Sequence, residues 1–189
     1  MTETPNPNIV DTDTLTGEMH PIRRCVLAIG SNMGDRLANL QGAVNTLADT
    51  PDVWLTAVSP VYETAPVDAP AGSQDFLNAV VLADTTLAAR TLLERALAVE
   101  DAYGRQRTEE RNAPRTLDVD LIVVGDRRAN DADLLLPHPK AHERAFVLAP
   151  WHDLEPDAEL IDHGPVAALL EKTKDQAVRL RDDLRLSFQ

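Results

Sequence analysis

The sequence predicts an α+β fold in which helices pack on a ferredoxin-like antiparallel sheet. Three observations predict this fold class. A chain of 189 residues, 43% of them hydrophobic, can build one core but not two comfortable ones. Its apolar residues recur by turns at strand spacing and at helix spacing. In chain order the predicted elements are strand, helix, strand, strand, helix and strand, which is the order of a ferredoxin-like layer.

The first half of this layer starts with an apolar run at residues 25–29, which predicts a buried strand because Gly30 closes it. Asp35 is then expected to cap a helix. The apolar positions of that helix recur at helical spacing: Leu37, Leu40, Val44 and Leu47. Residues 53–62 are rich in β-branched and aromatic side chains and predict a second strand, with an edge or a bulge at Pro60.

The second half starts at residues 76–83, where apolar side chains on both faces predict a buried strand. A helix is expected to run from an N-cap at Thr86 to Gly104. Residues 117–124 predict the last strand of the layer. One face of this strand is expected to carry Asp118, Asp120, Ile122 and Val124.

Composition divides the chain into three parts. Residues 1–23 are polar and unpatterned, and we expect them to form a disordered N-terminal extension. The folded domain is expected over residues 24–171, with residues 145–154 packed on the core and a further helix over 166–170. Residues 172–189 form a charged C-terminal tail that is expected to be helical or frayed.

Charge and cysteine content exclude several classes of function. The net charge of −13, from 18 Lys and Arg against 31 Asp and Glu, repels nucleic acids and acidic membranes. The single cysteine, Cys25, cannot form an internal disulfide, which fits a reducing compartment. The sequence shows neither a secretory signal nor an apolar stretch of the ~20 residues that span a bilayer. We therefore expect a cytoplasmic protein.

The sharpest local feature is the pair Asp118 and Asp120, which project from one face of a predicted strand. Two carboxylates leading into an apolar strand face repel each other unless cations neutralise them. Carboxylates without a cysteine cluster or a histidine pair nearby favour Mg²⁺ over zinc. The alternative interpretation is a solvent-facing strand end that is neutralised by Arg111 and Arg115.

Four arginines precede this strand within eleven residues: Arg105, Arg107, Arg111 and Arg115. So much local positive charge in an acidic chain indicates an anion, and guanidinium groups bind phosphate oxygens in a bidentate manner. Together with the two carboxylates they predict a magnesium–triphosphate site. The alternative is a solvated loop that is balanced by Glu109 and Glu110. No P-loop motif occurs, so any nucleotide must be held in another way.

Weaker signals come from aromatic, amide and imidazole side chains. Phe76 and Asn78 share a strand face, which suits a flat heterocycle if Phe146 supplies a second aromatic plate. The alternative is that both rings belong to the core and that the amide is satisfied there. His138 lies between two prolines that restrict its backbone, and its imidazole could bind phosphate.

Taken together, residues 24–156 resemble 6-hydroxymethyl-7,8-dihydropterin pyrophosphokinase, a folate-pathway enzyme family that transfers pyrophosphate from ATP to a pterin alcohol. Seven sequence blocks carry the resemblance in the order that the family has: AIGSN (28–32), VYETAP (61–66), FLNA (76–79), GRQR (104–107), PRTLDVD (114–120), LPHP (136–139) and RAFVLAP (144–150). Many members have a Trp at the position of Asn112, a Tyr at that of Pro139, and in some cases a Tyr at that of Phe76. No role is transferred to Asn112.

The resemblance implies a ferredoxin-like fold with mobile catalytic loops, and it implies roles for individual residues. The metal ligands for two Mg²⁺ ions would be Asp118 and Asp120. The arginines that contact the phosphates in catalysis would be Arg105 and Arg115. Further ATP contacts would come from Arg107, His138 and Arg144. The pterin would be bound by Thr64, Pro66, Val67, Phe76, Asn78 and Phe146.

The expected partners are therefore two small molecules, ATP and 6-hydroxymethyl-7,8-dihydropterin, and we expect a monomer. Two other classes of function use the same residues in part. Another Mg²⁺-dependent phosphotransferase or phosphohydrolase would need the carboxylates and arginines but not both aromatic rings. A non-catalytic ferredoxin-like binding module would have no need of carboxylates at Asp118 and Asp120.

Overall fold

The computed structural model describes residues 21–66, 69–104 and 116–188. The helices in these ranges are α1 (Arg36–Ala48), α2 (Ala89–Ala102), α3 (Ala145–Leu154) and α4 (Val166–Lys172), with a 3-10 turn at Ala141–Glu143. The strands of the main sheet are β1 (Arg23–Ser31), β2 (Val53–Val58), β3 (Val61–Thr64), β4 (Phe76–Thr85), β5 (Asp118–Val124) and β10 (Arg179–Arg181). Two short hairpins are formed by β6 (Ala129–Asn130) with β7 (Leu135–Leu136) and by β8 (Glu159–Leu160) with β9 (Gly164–Pro165).

The main sheet is antiparallel and has the strand order β10-β3-β4-β1-β5, with β2 also paired to β4. Strands β2, β4, β1 and β5 with helices α1 and α2 reproduce the ferredoxin-like order. The predicted fold class is therefore confirmed. Within the described ranges, none of the helices has the length and apolar character needed to cross a bilayer.

The prediction of a single strand over residues 53–62 is wrong, because the structure divides these residues between β2 and β3. The break falls at Ser59 and Pro60, where proline has no N–H to donate to a strand ladder. Ser59 bridges the break: its N–H donates to the Val80 carbonyl (2.9 Å) and its Oγ accepts from the Val80 N–H (2.8 Å). As a result β3 pairs with the first residues of β4, Phe76–Asn78 in the register, while β2 pairs with the last ones.

Each face of the sheet is covered by helices. One face packs on α1 and α2, and β4 contributes to it Leu77, Ala79, Val81 and Ala83. The opposite face packs on α3 and α4, and β4 contributes Val80 and Leu82 to that side. The burial predicted for both faces of this strand is confirmed. We call the two sides the α1/α2 side and the α3/α4 side.

Strand β5 follows the predicted alternation only in part. Val119 and Leu121 lie on the α1/α2 side and Ile122 lies on the α3/α4 side, as expected. Val124 was expected beside Ile122, but it lies on the α1/α2 side. The reason is a register shift opposite Val26 and Leu27 that places one extra residue in β5.

The predicted helix starts have different outcomes. Asp35 caps α1 as predicted, since its side chain accepts a hydrogen bond from the Ala38 N–H (3.1 Å). Thr86 does not cap α2, which begins at Ala89 without a side-chain cap. The turn before α2 is held by the neighbouring Thr85 instead, whose Oγ1 donates to the Asp52 carbonyl (2.7 Å) and accepts from the Leu87 N–H (3.0 Å).

The charged segment after α4 is neither helical nor frayed in the structure. Its residues Arg179–Arg181 form β10 and pair with β3, so the expectation for this segment is wrong. A three-residue strand has too little periodicity to be recognised in a charged sequence. The expected helix over 166–170 is present as α4. Residues 1–20 lie outside the described ranges, and the division into extension, domain and tail stays a prediction.

Gly42 of α1 provides a test of how the two helices on one side pack. A Cβ added there would lie 1.7 Å from the Tyr103 hydroxyl oxygen and 2.4 Å from its Cζ. Gly42→Ala is expected to destabilise the protein by about 1–3 kcal/mol through overpacking, although alanine raises helix propensity by ~1 kcal/mol. Denaturant unfolding measures the change in the free energy of unfolding. In a Tyr103→Ala background the same substitution should stabilise; destabilisation in both backgrounds would contradict this packing.

Candidate active site

The predicted carboxylates and the predicted amide meet across three neighbouring strands. In the strand register Gly30 of β1 is the partner of Asn78 in β4 and of Asp118 in β5. Two residues earlier in β1, Ala28 is the partner of Asp120. Ala28 belongs to the α3/α4 side, and side chains two apart share a face. Asp118, Asp120 and Asn78 are therefore brought together on the α3/α4 side of the sheet.

Gly30 leaves space between the carboxylate and the amide. A Cβ at this position would lie 3.3 Å from Asn78 Oδ1 and 3.6 Å from Phe76 Cδ1. A Cβ here would press against Asn78 Oδ1 and would already be in van der Waals contact with the Phe76 ring. Because Gly30 of the AIGSN block has no side chain, the Asn78 amide and the Phe76 ring can lie close to the backbone of β1.

The orientation of the Asn78 amide is set by strand β3. Its Nδ2 donates to Thr64 Oγ1 (2.9 Å) and makes a longer contact with the Tyr62 carbonyl (3.4 Å). A carbonyl only accepts hydrogen bonds, so the NH₂ group must face β3 and Oδ1 must face Gly30. Asn78 is 5% exposed, which keeps this arrangement out of bulk water. The side chain therefore presents a fixed acceptor beside Gly30.

Both predicted aromatic plates lie on the α3/α4 side. Phe76 is the register partner of Thr64 and shares its strand face with Asn78. Phe146 lies in the first turn of α3, where it is partly buried and packs against the core on the α3/α4 side. The Arg144 guanidinium carbon lies 5.5 Å from the centre of the Phe146 ring, within the range of a cation–π interaction. Arg144, predicted to contact ATP, is thus adjacent to a ring predicted to contact the pterin.

A tyrosine that the sequence analysis did not single out connects β3 to α3. The Tyr62 hydroxyl donates a short hydrogen bond to the Asp153 carboxylate. Burial, together with this carboxylate, raises the pKa of Tyr62. Tyr62 is the register partner of Asn78, so the bond fixes α3 above the row that contains Gly30.

A buried acid on α2 holds the backbone between the two aspartates. Glu100 is 2% exposed, and its Oε1 accepts a hydrogen bond from the Val119 N–H (2.9 Å). Because Val119 separates Asp118 from Asp120, this bond fixes the strand segment that carries both. The sequence analysis missed this residue. The available signal was a charged side chain on the otherwise apolar helix face that contains Ala96 and Val99.

A pocket of about 240 Å³ lies along the outer edge of β5. Its lining includes leucines of α2 and of the segment that leads into β7: Leu93, Leu97, Leu134 and Leu135. Its polar side chains are those of Glu100, Asp120, Asp133 and His138. Apolar walls with a few polar groups are typical of small-molecule sites. Only Asp120 and His138 of this lining were predicted from the sequence, since the leucines carry no functional signal.

His138 is held in one orientation in this pocket. The backbone N–H of His138 donates to the Ile122 carbonyl (2.8 Å). Its imidazole Nδ1 accepts a hydrogen bond from the backbone N–H of Lys140 (3.2 Å). Burial, followed by the charges of Arg144 and Lys140, lowers the pKa of His138 to about 4. The imidazole is therefore neutral near pH 7 and carries its proton on Nε2, which makes it a hydrogen-bond donor.

Several predicted site residues lie outside the described ranges, namely Arg105, Arg107, Arg111, Arg115 and Val67. Thr64 ends β3, and Pro66 follows it in a half-buried position.

The carboxylate pair fits magnesium chemistry. Among the described residues, no group of three or more His, Cys, Asp or Glu side chains is placed to hold a metal by itself. Mg²⁺ in proteins characteristically uses one or two carboxylates and takes its other ligands from water and substrate phosphates. Asp118 and Asp120, on one face and partly exposed, match that donor set.

Comparison with known proteins identifies the same family that the sequence blocks resemble. The family model described as 7,8-dihydro-6-hydroxymethylpterin-pyrophosphokinase matches residues 26–156. A 2-amino-4-hydroxy-6-hydroxymethyldihydropteridine pyrophosphokinase of Mycobacterium tuberculosis is 43% identical over 176 residues, covering 86% of this chain and 89% of that protein. Proteins of the same name are 44% identical over 137 residues in Methylorubrum extorquens, covering 71% of this chain and 84% of that protein, and 38% identical over 149 residues in Pseudomonas aeruginosa, covering 79% and 91%.

Solved structures match the fold. The wild-type HPPK-DHPS protein of Plasmodium falciparum, solved with pterin and p-hydroxybenzoate, aligns with a TM-score of 0.63 at 13% identity. The alignment covers 82% of this chain and 44% of that longer chain, so this protein spans less than half the length of its structural match. Such low identity supports the fold alone. The family model and the curated relatives go further: the chain belongs to the 7,8-dihydro-6-hydroxymethylpterin-pyrophosphokinase family and is an ATP-dependent pyrophosphokinase of folate biosynthesis.

Proposed function

We propose that this chain binds ATP and 6-hydroxymethyl-7,8-dihydropterin on either side of Asp118 and Asp120 and transfers pyrophosphate from ATP to the pterin there. One observation carries the proposal. Asp118 lies in the row with Gly30 and Asn78, whereas Asp120 forms part of the pocket wall along β5. The carboxylates thus separate a polar, ring-bearing surface from a pocket with leucine walls.

The nucleotide base is assigned to the pocket along β5. Leu93 and Leu97 on one wall and Leu135 on the other supply apolar surface for a flat purine. The neutral His138 donates its Nε2–H toward the phosphate side. Arg144 adds a cation there, and Arg105, Arg107 and Arg115 are proposed to bind the phosphates.

The pterin is assigned to the α3/α4 side of the sheet. Its ring would lie between Phe76 and Phe146, since aromatic faces stack on a flat heterocycle. Asn78 Oδ1, fixed beside Gly30, would accept a hydrogen bond from the edge of the ring. The backbone of residues 64–67 would contact the rest of that edge, with side-chain contacts from Thr64, Pro66 and Val67.

Two Mg²⁺ ions are proposed to be held by Asp118 and Asp120 together with phosphate oxygens. When bound, they supply Lewis-acid stabilisation of charge on the transferring group. The protein's own residues orient the reactants. The hydroxymethyl oxygen forms a bond to the β-phosphorus of ATP, and the bond from that phosphorus to the oxygen that it shares with the α-phosphorus breaks. AMP leaves with that oxygen, and the hydroxyl proton is released. Positioning and fixed charges lower the barrier, and no side chain is assigned as a general base.

We also propose that the enzyme works in the cytoplasm as a monomer. The free, buried Cys25 is consistent with a reducing compartment.

A product assay tests the reaction. Purified protein is mixed with Mg²⁺, ATP and 6-hydroxymethyl-7,8-dihydropterin, and AMP is resolved from ADP and free phosphate. We expect AMP that forms only when the pterin is present. ADP or free phosphate would instead indicate another Mg²⁺-dependent phosphotransferase or phosphohydrolase, an alternative that the family match does not favour.

Neutralising either carboxylate should abolish turnover while the fold survives. Asp118→Asn and Asp120→Asn keep the side-chain shape but replace a charged carboxylate ligand by a neutral amide, so kcat is expected to fall by at least about 10²-fold. Circular dichroism checks that the fold is intact. Partly exposed Asp126, which follows β5, provides a matched control, and Asp126→Asn should leave kcat unchanged. Near-normal activity of either site variant would remove the metal assignment.

The protonation state of His138 can be measured directly. An NMR titration of the free protein is expected to give a pKa of about 4 and the Nε2–H tautomer above it. In Arg144→Ala the pKa should rise toward 6.5, because one of the positive charges that disfavour the imidazolium is removed. A His138 pKa of 6 or higher in the unmodified protein would contradict the neutral-donor assignment.

The absence of a side chain at Gly30 predicts that a substitution there weakens pterin binding but not nucleotide binding. Gly30→Ala places a methyl group against Asn78 Oδ1 and the Phe76 ring, and pterin is expected to bind about tenfold more weakly. Calorimetry with pterin and with an ATP analogue measures the two affinities separately. The nucleotide affinity should change by less than about twofold. Equal losses for both ligands would argue against this placement of the pterin.

A further inference from the structure

The C-terminal segment, residues 173–188, reaches the two elements that carry the proposed pterin contacts. It follows α4 and lies beyond residues 26–156, which the family model matches. Thr173 is 5% exposed, and its hydroxyl donates to the Leu170 carbonyl (2.9 Å). The Gln176 N–H donates to the Thr173 carbonyl (2.9 Å). The segment therefore leaves α4 in a defined turn that fixes the position of Gln176.

The Gln176 side chain binds the backbone at the start of α3. Its Oε1 accepts from the Ala145 N–H (3.0 Å), and its Nε2 donates to the Glu143 carbonyl (2.7 Å). Ala145 is the first residue of α3, and Arg144 at the N-cap makes no side-chain capping bond. The first N–H groups of a helix need partners from outside the helix. Gln176 thus replaces the missing cap and spans both sides of Arg144.

The first turn of α3 depends on this contact more than an ordinary helix start would. Pro150 lies inside the helix and has no N–H, so the Phe146 carbonyl four residues earlier lacks its usual intrahelical donor. The turn that carries Phe146 and Arg144 is weakened from within. The hydrogen bond from the Ala145 N–H to Gln176 holds this turn from outside the helix and compensates for the missing intrahelical bond.

The far end of the segment secures β3. In β10 Arg181 donates to Glu63 Oε2 (3.1 Å) and Arg179 donates to Glu63 Oε1, while Arg36 of α1 reaches the same carboxylate (2.6 Å). Glu63 is 8% exposed, and the hydrogen bonds and charges of these arginines outweigh burial and lower its pKa. The next residue is Thr64, which holds the Asn78 amide.

We propose that the C-terminal segment is a positioning element of the pterin site and that Gln176 is its positioning residue. By capping α3, Gln176 fixes the height of Phe146 above the sheet. By pairing with β3, β10 fixes the end of that strand at Thr64. The inference rests on the proposed placement of the pterin between Phe76 and Phe146.

Gln176→Ala tests the inference. The KM for the pterin is expected to rise about tenfold, with kcat within about threefold of the unmodified enzyme, because the ring shifts while the carboxylates stay in place. Gln176→Glu should recover only part of the loss, since its carboxylate still accepts from the Ala145 N–H but can no longer donate to the Glu143 carbonyl. Hydrogen exchange should be faster at residues 145–148 in the alanine variant only.

Gln41 provides a matched control. It makes the same kind of paired contact with the same segment, donating to the Ser187 carbonyl (2.6 Å) and accepting from the Ser187 N–H (3.0 Å), but it does so from α1. Gln41→Ala should leave the pterin KM unchanged. An unchanged KM in Gln176→Ala, or an equal rise in Gln41→Ala, would overturn the proposal. If Gln176→Ala does not fold, Gln176→Met replaces it, because methionine keeps the length of the side chain and removes both hydrogen bonds. The same rise in the pterin KM would support the proposal, and an unchanged KM would overturn it. Wild-type enzyme that forms no AMP would refute the proposed function itself.

Discussion

The bond between the Val119 N–H and the buried Glu100 carboxylate is the interaction on which the candidate site depends most. It joins α2, on one side of the sheet, to the backbone of β5 at the point where Asp118 and Asp120 project to the other side. A backbone N–H that donates to a buried carboxylate is held more firmly than one that faces water. The pocket along β5 and the row through Gly30 therefore share one fixed strand segment.

Local patterns in the sequence predicted most of the fold. Alternation along residues 76–83 was sufficient to assign both faces of β4, and the cap at Asp35 followed from local chemistry. The features that were missed depend on partners distant in sequence. The extra residue in β5 is visible only against β1, and the break at Ser59 only against Val80. Such partners cannot be read from a window of neighbouring residues.

The site shows the same division. Asp118 and Asp120 were recognisable because paired carboxylates on one strand face are costly without cations, and the family blocks added Phe76, Asn78 and Phe146. The leucine walls of the pocket, Glu100 and Gln176 were not recognised. Their side chains act through where the fold puts them, and a leucine or glutamine at those positions has no distinctive neighbours in the sequence. Residues with a recognisable chemical pattern or in a family block could therefore be predicted, whereas residues that line the pocket or hold the backbone could not.

The pairing of β10 with β3 affects how the protein is made on the ribosome. Glu63 and its partner Arg179 are 116 residues apart, so at typical rates of synthesis Arg179 is added on the order of ten seconds after Glu63. During that interval β3 is an open sheet edge, and Glu63 has only Arg36 as a partner among the three arginines that finally surround it. The surface assigned to the pterin is therefore completed only after residues 173–188 have been synthesised.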